Sequence, residues 1–291
     1  MADGFQMNGD SPNTSVPSNA RFLYGTAWKE DQTKRLTRLA VEQGFRGIDT
    51  ANQRKHYCEV AVGDAIQESI RDGIVSRAEL FLQTKYTFQS GQDHRLPYNP
   101  SATVAEQVKQ SCASSLEHLG VDYLDSYVLH GPSRNVGIHA NDWEAWGAME
   151  QLHDSEQVRS LGISNVSREQ LELLLTKTRI TPTFVQNRCY ATQGWGRDVR
   201  ELCREHGIVY QAFSLLTANA KVMSHSTLSS IAAKYQRHAT QIIFRFAIDI
   251  GMLPITGTSQ VKHMRQALEI LEFQLSIDEV QAIESIALAG G

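Results

Sequence analysis

From Phe22 onward the chain alternates short apolar, β-branched runs with amphipathic stretches of roughly 10–15 residues. The runs Phe22–Ala27, Gly47–Ala51, Leu80–Tyr86, Tyr123–His130, Arg159–Asn165, Phe184–Tyr190, Val209–Ser214 and Met252–Gly257 read as strands. The stretches between them carry helical periodicity. In Ala102–His118, for example, Val104, Val108, Cys112, Ser115 and Leu116 lie along one stripe. Gly44, Gly73, Gly120, Gly207 and Gly251 stand where a helix has to stop before the next strand. Ala239–Ile250 reads as an extra helix ahead of the last strand. Leu275–Ile286 reads as a closing helix, with Ser276 as an N-cap three residues before Glu279.

Eight strands joined by helices call for a parallel sheet, and right-handed crossovers turning one way close it into a single (β/α)8 barrel of the TIM type with extra C-terminal helices. A doubly wound open sheet is the alternative. It would carry a Gly-rich first turn, and the chain contains no G-x-G-x-x-G. Residues 1–20 are polar and rich in Gly, Asn, Ser and Pro, which predicts a mobile tail. No Pro- or Gly-rich linker interrupts residues 21–291, so they are expected to form one domain.

Composition narrows the classes of function. With 41% hydrophobic and 21% charged residues over 291 positions, a sizeable core is available. A net charge of −4 supplies no field to attract nucleic acid. No apolar run approaches the roughly 20 residues that span a bilayer, and no signal-peptide core is visible. Cys58, Cys112, Cys189 and Cys203 form neither a C-x-x-C pair nor a zinc spacing, which suits a reducing, cytoplasmic setting. In that setting the sequons at Asn13 and Asn165 are chance matches.

Polar residues recur where strands of such a barrel end, and those ends form its active face. The second strand ends at Asp49, the third at Lys85, the fourth at His130 and the fifth at Ser164 and Asn165. Gln186 lies on the sixth, Phe213 and Ser214 end the seventh, and Tyr57 follows Asp49 by eight residues. Taken singly, each has a plain structural use: a loop cap, an ion pair, a core ring. Together they suit the reduction of a carbonyl, which needs a hydride on carbon and a proton on oxygen. Tyr57 can give the proton, with Lys85 lowering the phenol's pKa and Asp49 holding Lys85 charged. His130 can orient the carbonyl oxygen. Phe213 offers a face to a nicotinamide ring, and Ser164, Asn165 and Gln186 offer partners to its carboxamide.

At these positions the chain resembles the aldo-keto reductase superfamily over nearly its whole length, from Phe22 to Ile286. The resemblance rests on Gly25-Thr26-Ala27-Trp28, Gly47-Ile48-Asp49-Thr50-Ala51, Thr84-Lys85, Leu129-His130, Leu161-Gly162-Ile163-Ser164-Asn165 and the run from Pro182 through Gln186 to Tyr190. It implies a (β/α)8 fold, reduction of an aldehyde or ketone with Tyr57 as proton donor, and NADPH bound extended across the strand ends. Along that cofactor it places Ser164, Asn165, Gln186, Phe213, Ser214, Leu216, Gly257, Thr258, Ser259 and His263, and it puts Trp28, Phe88 and Trp195 on the substrate pocket. The chain departs from the family in four places. The tyrosine loop is longer by three residues, and Phe213 replaces the more usual tyrosine. Gly257 and His263 stand where many members carry the Lys and Arg that grip a 2′-phosphate, which leaves NADH open as the cofactor and Lys262, His263 or Arg265 as substitutes. Ala267 stands where an asparagine often reads adenine. The chain ends soon after its last helix, so an open pocket suited to bulky or aromatic carbonyls is expected. Two other functions compete: a nicotinamide-binding regulatory subunit with little turnover, and a metal-assisted hydrolase using Asp49 and His130. The expected partner is a small-molecule carbonyl substrate, with no nucleic acid or membrane, on a monomer or weak oligomer.

Overall fold

The computed structural model describes residues 20–286. The tail expected over residues 1–20 therefore lies, apart from Ala20, outside the described residues. Eight parallel strands close into a barrel in sequence order: β1 (Leu23–Gly25), β2 (Gly47–Asp49), β3 (Phe81–Tyr86), β4 (Ser126–Leu129), β5 (Leu161–Ser164), β6 (Phe184–Arg188), β7 (Val209–Phe213) and β8 (Met252–Thr256). Leu23 of β1 pairs with Ile255 of β8 and shuts the cylinder. Each strand is shorter than its apolar run. The ladder ends where neighbouring strands diverge, while the flanking residues still bury their side chains, as Phe22 and Leu80 do.

The period-two alternation of the strands divides the core in two. Leu23, Phe81, Phe184, Leu253 and Ile255 point inward and form one apolar cluster inside the barrel. Their neighbours, including Tyr24, Leu82 and Val185, point outward and join the helices in a second, larger cluster. The register sets polar residues side by side on the inner face of the barrel. Asp49 lies opposite Gly25 and Gln83, and Gln186 lies opposite Ser164 and Gln211.

The helix expected over Ala102–His118 spans Val104–Leu119. The Thr103 side chain accepts from the Glu106 backbone N–H at 3.3 Å, and the Glu106 carboxylate accepts from the Thr103 N–H at 3.1 Å. It ends at Gly120 with φ +66°, a left-handed conformation that costs glycine no steric penalty. The extra helix spans Ala239–Asp249. The closing helix spans Ile277–Ser285 behind a Ser276–Glu279 capping box. Two further helices, Ala220–Met223 and Ser226–Tyr235, fill the long connection after β7, and the apolar pattern had not marked them.

Candidate active site

A cavity of about 500 Å³ opens at the C-terminal ends of the strands. Its wall contains Trp28, Asp49, Tyr57, His130, Ser164 and Asn165, and it continues past Gln186, Phe213, Ser214 and Leu216 to Gly257, Thr258 and His263. Residues separated by more than 200 positions thus face one volume. Trp28, Asn165 and Ser214 each sit at φ between 52° and 61° on its rim. Left-handed backbone at residues other than glycine costs of order 1–3 kcal/mol and concentrates at functional sites.

At the floor, the fully buried Lys85 ammonium donates to Asp49 Oδ1 at 2.6 Å and to the Thr50 carbonyl at 2.7 Å. The Tyr57 ring stands with its centroid 5.5 Å from that ammonium. The His130 ring meets it edge-on at 6.0 Å. Burial holds the Tyr57 phenol above its ordinary pKa of 10, and the negative charge of Asp49 adds to the rise. This reverses the expectation that Lys85 lowers it. The Lys85 charge is matched by a bonded carboxylate, so little of its field is left for the phenol. Burial likewise pushes Lys85 down, against the pull of Asp49. His130 is lowered to about 3 by burial, with the Lys85 charge second, so its imidazole is neutral near pH 7. The Thr87 hydroxyl lies 2.6 Å from His130 Nδ1.

The wall beyond is built of committed donors. Asn165 Nδ2 donates to the His130 carbonyl at 2.8 Å and to Ser164 Oγ at 3.1 Å, and the Ser164 hydroxyl donates to the Gln186 carbonyl at 2.6 Å. Gln186 Nε2 donates to Asp49 Oδ1 and to Gln211 Oε1, both at 2.9 Å. Each amide nitrogen has thus spent both hydrogens, and each amide keeps its carbonyl oxygen to accept with.

Four of the expected site residues do not line the cavity: Lys85 lies buried beneath its floor, and three others lie elsewhere. Trp195 is fully buried and packs edge-on against Phe246 at 5.0 Å among the helices, so it is a core residue and not a substrate wall. Its place one turn before the helix Arg197–Glu205 sends the indole outward from the barrel. Phe88 packs edge-on against Tyr86 at 5.2 Å, on the outward side of β3. Ser259 is exposed in the turn before the helix Val261–Leu268 and is absent from the lining.

Other residues emerge only from the structure. The Lys29 ammonium is bonded to the Gly257 carbonyl across the cleft, and a Cβ built on Gly257 would meet that ammonium at 3.2 Å. The Arg188 guanidinium stands 5.5 Å over the Phe213 ring. Neither cation has a carboxylate within ion-pair distance among the described residues, and both line the cavity. The sequence does place both beside strand ends, after β1 and at the end of β6, but nothing in it says that they face inward. Gln83 and Gln211 lie just beneath the floor. Period two would have found them, counting back from Lys85 and Phe213.

Comparison with known proteins gives the following. Residues 21–288 match the model of the aldo/keto reductase family. An aldo-keto reductase of Mycobacterium avium (strain 104) is 32% identical over 257 residues, covering 88% of this chain and 82% of its own. The crystal structure of the Bombyx mori aldo-keto reductase AKR2E4 in complex with NADP is similar, with a TM-score of 0.76 at 27% identity over 91% of this chain and 88% of that one. An aldo-keto reductase from a deep-sea metagenome shares the fold, with a TM-score of 0.79 at 24% identity over 95% and 93% of the two chains. Among the described residues, no helix is long and apolar enough to cross a membrane, and no group of three or more His, Cys, Asp or Glu is placed to hold a metal ion.

Proposed function

We propose a function from one premise: the chain belongs to the aldo/keto reductase family. It reduces an aldehyde or ketone to an alcohol with a nicotinamide cofactor, and Tyr57 is the proton donor. The observation that carries this reading is the Tyr57 ring standing 5.5 Å from an ammonium that is itself bonded to Asp49, with the neutral His130 edge-on beside it.

A reduced nicotinamide, when bound, supplies the hydride. The chain's residues do the rest. As the hydride electrons reach the carbonyl carbon, the C=O π pair moves to oxygen, and the Tyr57 phenol gives that oxygen its proton. The phenolate left behind has its ring centroid 5.5 Å from the Lys85 ammonium, which Asp49 holds in place. His130 is neutral and does not compete as the acid. With the Thr87 hydroxyl donating into Nδ1, His130 carries its hydrogen on Nε2 and donates to the substrate oxygen. The free carbonyl oxygens of Asn165 and Gln186 suit the two N–H donors of a carboxamide, and Phe213 offers the ring its face.

NADPH is the cofactor that the cations favour. Lys29 sets an ammonium where a side chain at Gly257 would begin, and His263 stands on the same wall. That arrangement answers the missing grip at Gly257 and His263 with a charge from the other side of the cleft, and NADH is the alternative it disfavours. Trp28, 69% exposed, stacks on His56 at 3.6 Å at the cavity's edge, an indole surface suited to bulky or aromatic carbonyls. The test is fluorescence titration with NADPH and NADH in parallel, followed by multiple-turnover NADPH oxidation with an aromatic aldehyde. Binding with turnover supports the reading. Tight binding without turnover would turn it toward a nicotinamide-binding subunit.

A further inference from the structure

Interior levels of a parallel barrel are ordinarily filled by branched apolar side chains. The inward-facing cluster of Leu23, Phe81, Phe184 and Leu253 obeys that rule. The polar positions beside it do not, and Gln211 is register-paired with Leu253 itself. Gln83 of β3 and Gln211 of β7 are both 0% exposed, and Gln186 of β6 is 4% exposed. Gln83 Nε2 donates to Gln211 Oε1 at 2.8 Å, and Gln211 Nε2 donates back to Gln83 Oε1 at 2.9 Å. Gln83 Nε2 also donates to Asp49 Oδ1 at 2.7 Å, and Gln186 Nε2 donates to Asp49 Oδ1 and Gln211 Oε1, both at 2.9 Å. With Lys85, three donors converge on one carboxylate oxygen.

A polar layer of this kind is not explained by stability. Each buried hydrogen bond nets little against water, and replacing both partners by apolar groups of the same shape is nearly neutral. What the layer does provide is order. Asp49 directs Lys85, and Gln186 presents its carbonyl oxygen to the cavity. The paired amides of Gln83 and Gln211 touch both of them and nothing in the cavity. We propose that the reciprocal Gln83–Gln211 pair is a positioning element that fixes the Asp49 carboxylate and the Gln186 amide in one arrangement. In this way it ties the proton-donating group to the nicotinamide-holding wall. The inference rests on the function proposed above.

The test compares the wild type with Q83M, Q211M and the double variant Q83M/Q211M. Methionine keeps the volume and removes the amide. Each single variant strands part of the opposite glutamine and should lower the melting temperature, whereas the double variant should recover the part owed to the reciprocal pair, one Gln186 N–H being left without Gln211 Oε1. A filler role predicts that function recovers with stability. Positioning predicts that it does not. The double variant should then bind NADP about tenfold more weakly while binding 2′,5′-ADP, which lacks the nicotinamide, as the wild type does. Its kcat should stay at least tenfold down, with a larger primary isotope effect from NADPH deuterated at the transferred hydrogen. Recovery of wild-type NADP affinity and kcat in the double variant overturns the proposal. Equal weakening toward both nucleotides overturns it too, since that marks general damage. A wild type that binds neither nucleotide refutes the proposed function itself before any variant is made, and the positioning role falls with it.

Discussion

Burial keeps the Tyr57 phenol protonated and the His130 imidazole neutral near pH 7, the states that the proposed reduction calls for. Replacing Tyr57 by Phe removes one oxygen and keeps the ring that stands beside Lys85. Its kcat should fall by about 10²–10⁴-fold, the usual range for a general acid, with NADPH affinity nearly unchanged in the fluorescence titration. Full turnover by the variant would remove Tyr57 from the mechanism. Because burial and Asp49 raise the phenol above its ordinary 10, the alkaline limb of the wild-type kcat profile should lie above pH 10. His130 bears on stability. Its folded value of about 3 lies below the ordinary 6.5, so the unfolded chain takes up a proton that the folded one refuses. The resulting stabilisation is complete above pH 6.5 and drains away as the pH falls toward 3. Urea midpoints of the wild type and His130→Gln should therefore diverge on acidification, the wild type losing ground by at most about 1.4 kcal/mol per pH unit. Parallel midpoints would show an imidazole that titrates freely. These residues were legible in the sequence because each sits beside a strand end within a recognisable run. The state of the phenol was not. It depends on which oxygen the Lys85 ammonium is bonded to, and only packing fixes that.

The elements carry the site by placing one another. The helix Glu59–Arg71 starts two residues after Tyr57 and packs against the helix Val104–Leu119 through Gly63. A Cβ on Gly63 would come within 1.9 Å of the His118 carbonyl oxygen and 2.8 Å of Leu119 Cα. Two effects oppose each other in Gly63→Ala. Alanine gains about 1 kcal/mol of helix propensity, and overpacking costs about 1–3 kcal/mol. The obstructing atoms are backbone and cannot swing aside, so overpacking wins. Urea denaturation should show a net loss of stability, and kcat should fall as the shifted helix drags Tyr57 from its place. A more stable variant would mean that the two helices separate freely. At this scale the sequence spoke clearly wherever a stop, a cap or a period was present, as at Gly120 and Ser276. It was silent on Ala220–Met223, which is a single turn, and on Ser226–Tyr235, which buries Leu228, Ile231 and Ala232 at helical spacing that went unmarked inside the long connection after β7. It misled at Trp195, where an aromatic beside a strand end turned out to face the helices.

Across the whole molecule the net charge is −4, yet the cavity is lined by cations that the rest of the surface leaves unmatched. Several basic side chains are paired on the outside of the barrel, as Arg38 is with Asp72 and Arg179 with Asp154. Among the described residues Lys29 bonds the Gly257 carbonyl and no carboxylate, and desolvation already pushes its pKa down. A half-buried ammonium with no counter-charge gains when an anion arrives, because the cost of its desolvation has been met before binding. On the reading proposed above, the partner of this cation is the phosphate that NADPH carries and NADH lacks. Lys29→Ala should weaken NADPH binding about tenfold, equivalent to about 1.4 kcal/mol, and leave NADH within a factor of two. On the same reading, the ratio of NADPH to NADH affinity should shrink as salt rises, since an exposed cleft is screened over about 8 Å at physiological ionic strength. Equal losses for both cofactors would move the contact to the pyrophosphate they share. No loss for either would leave Lys29 as a strut between the ends of β1 and β8.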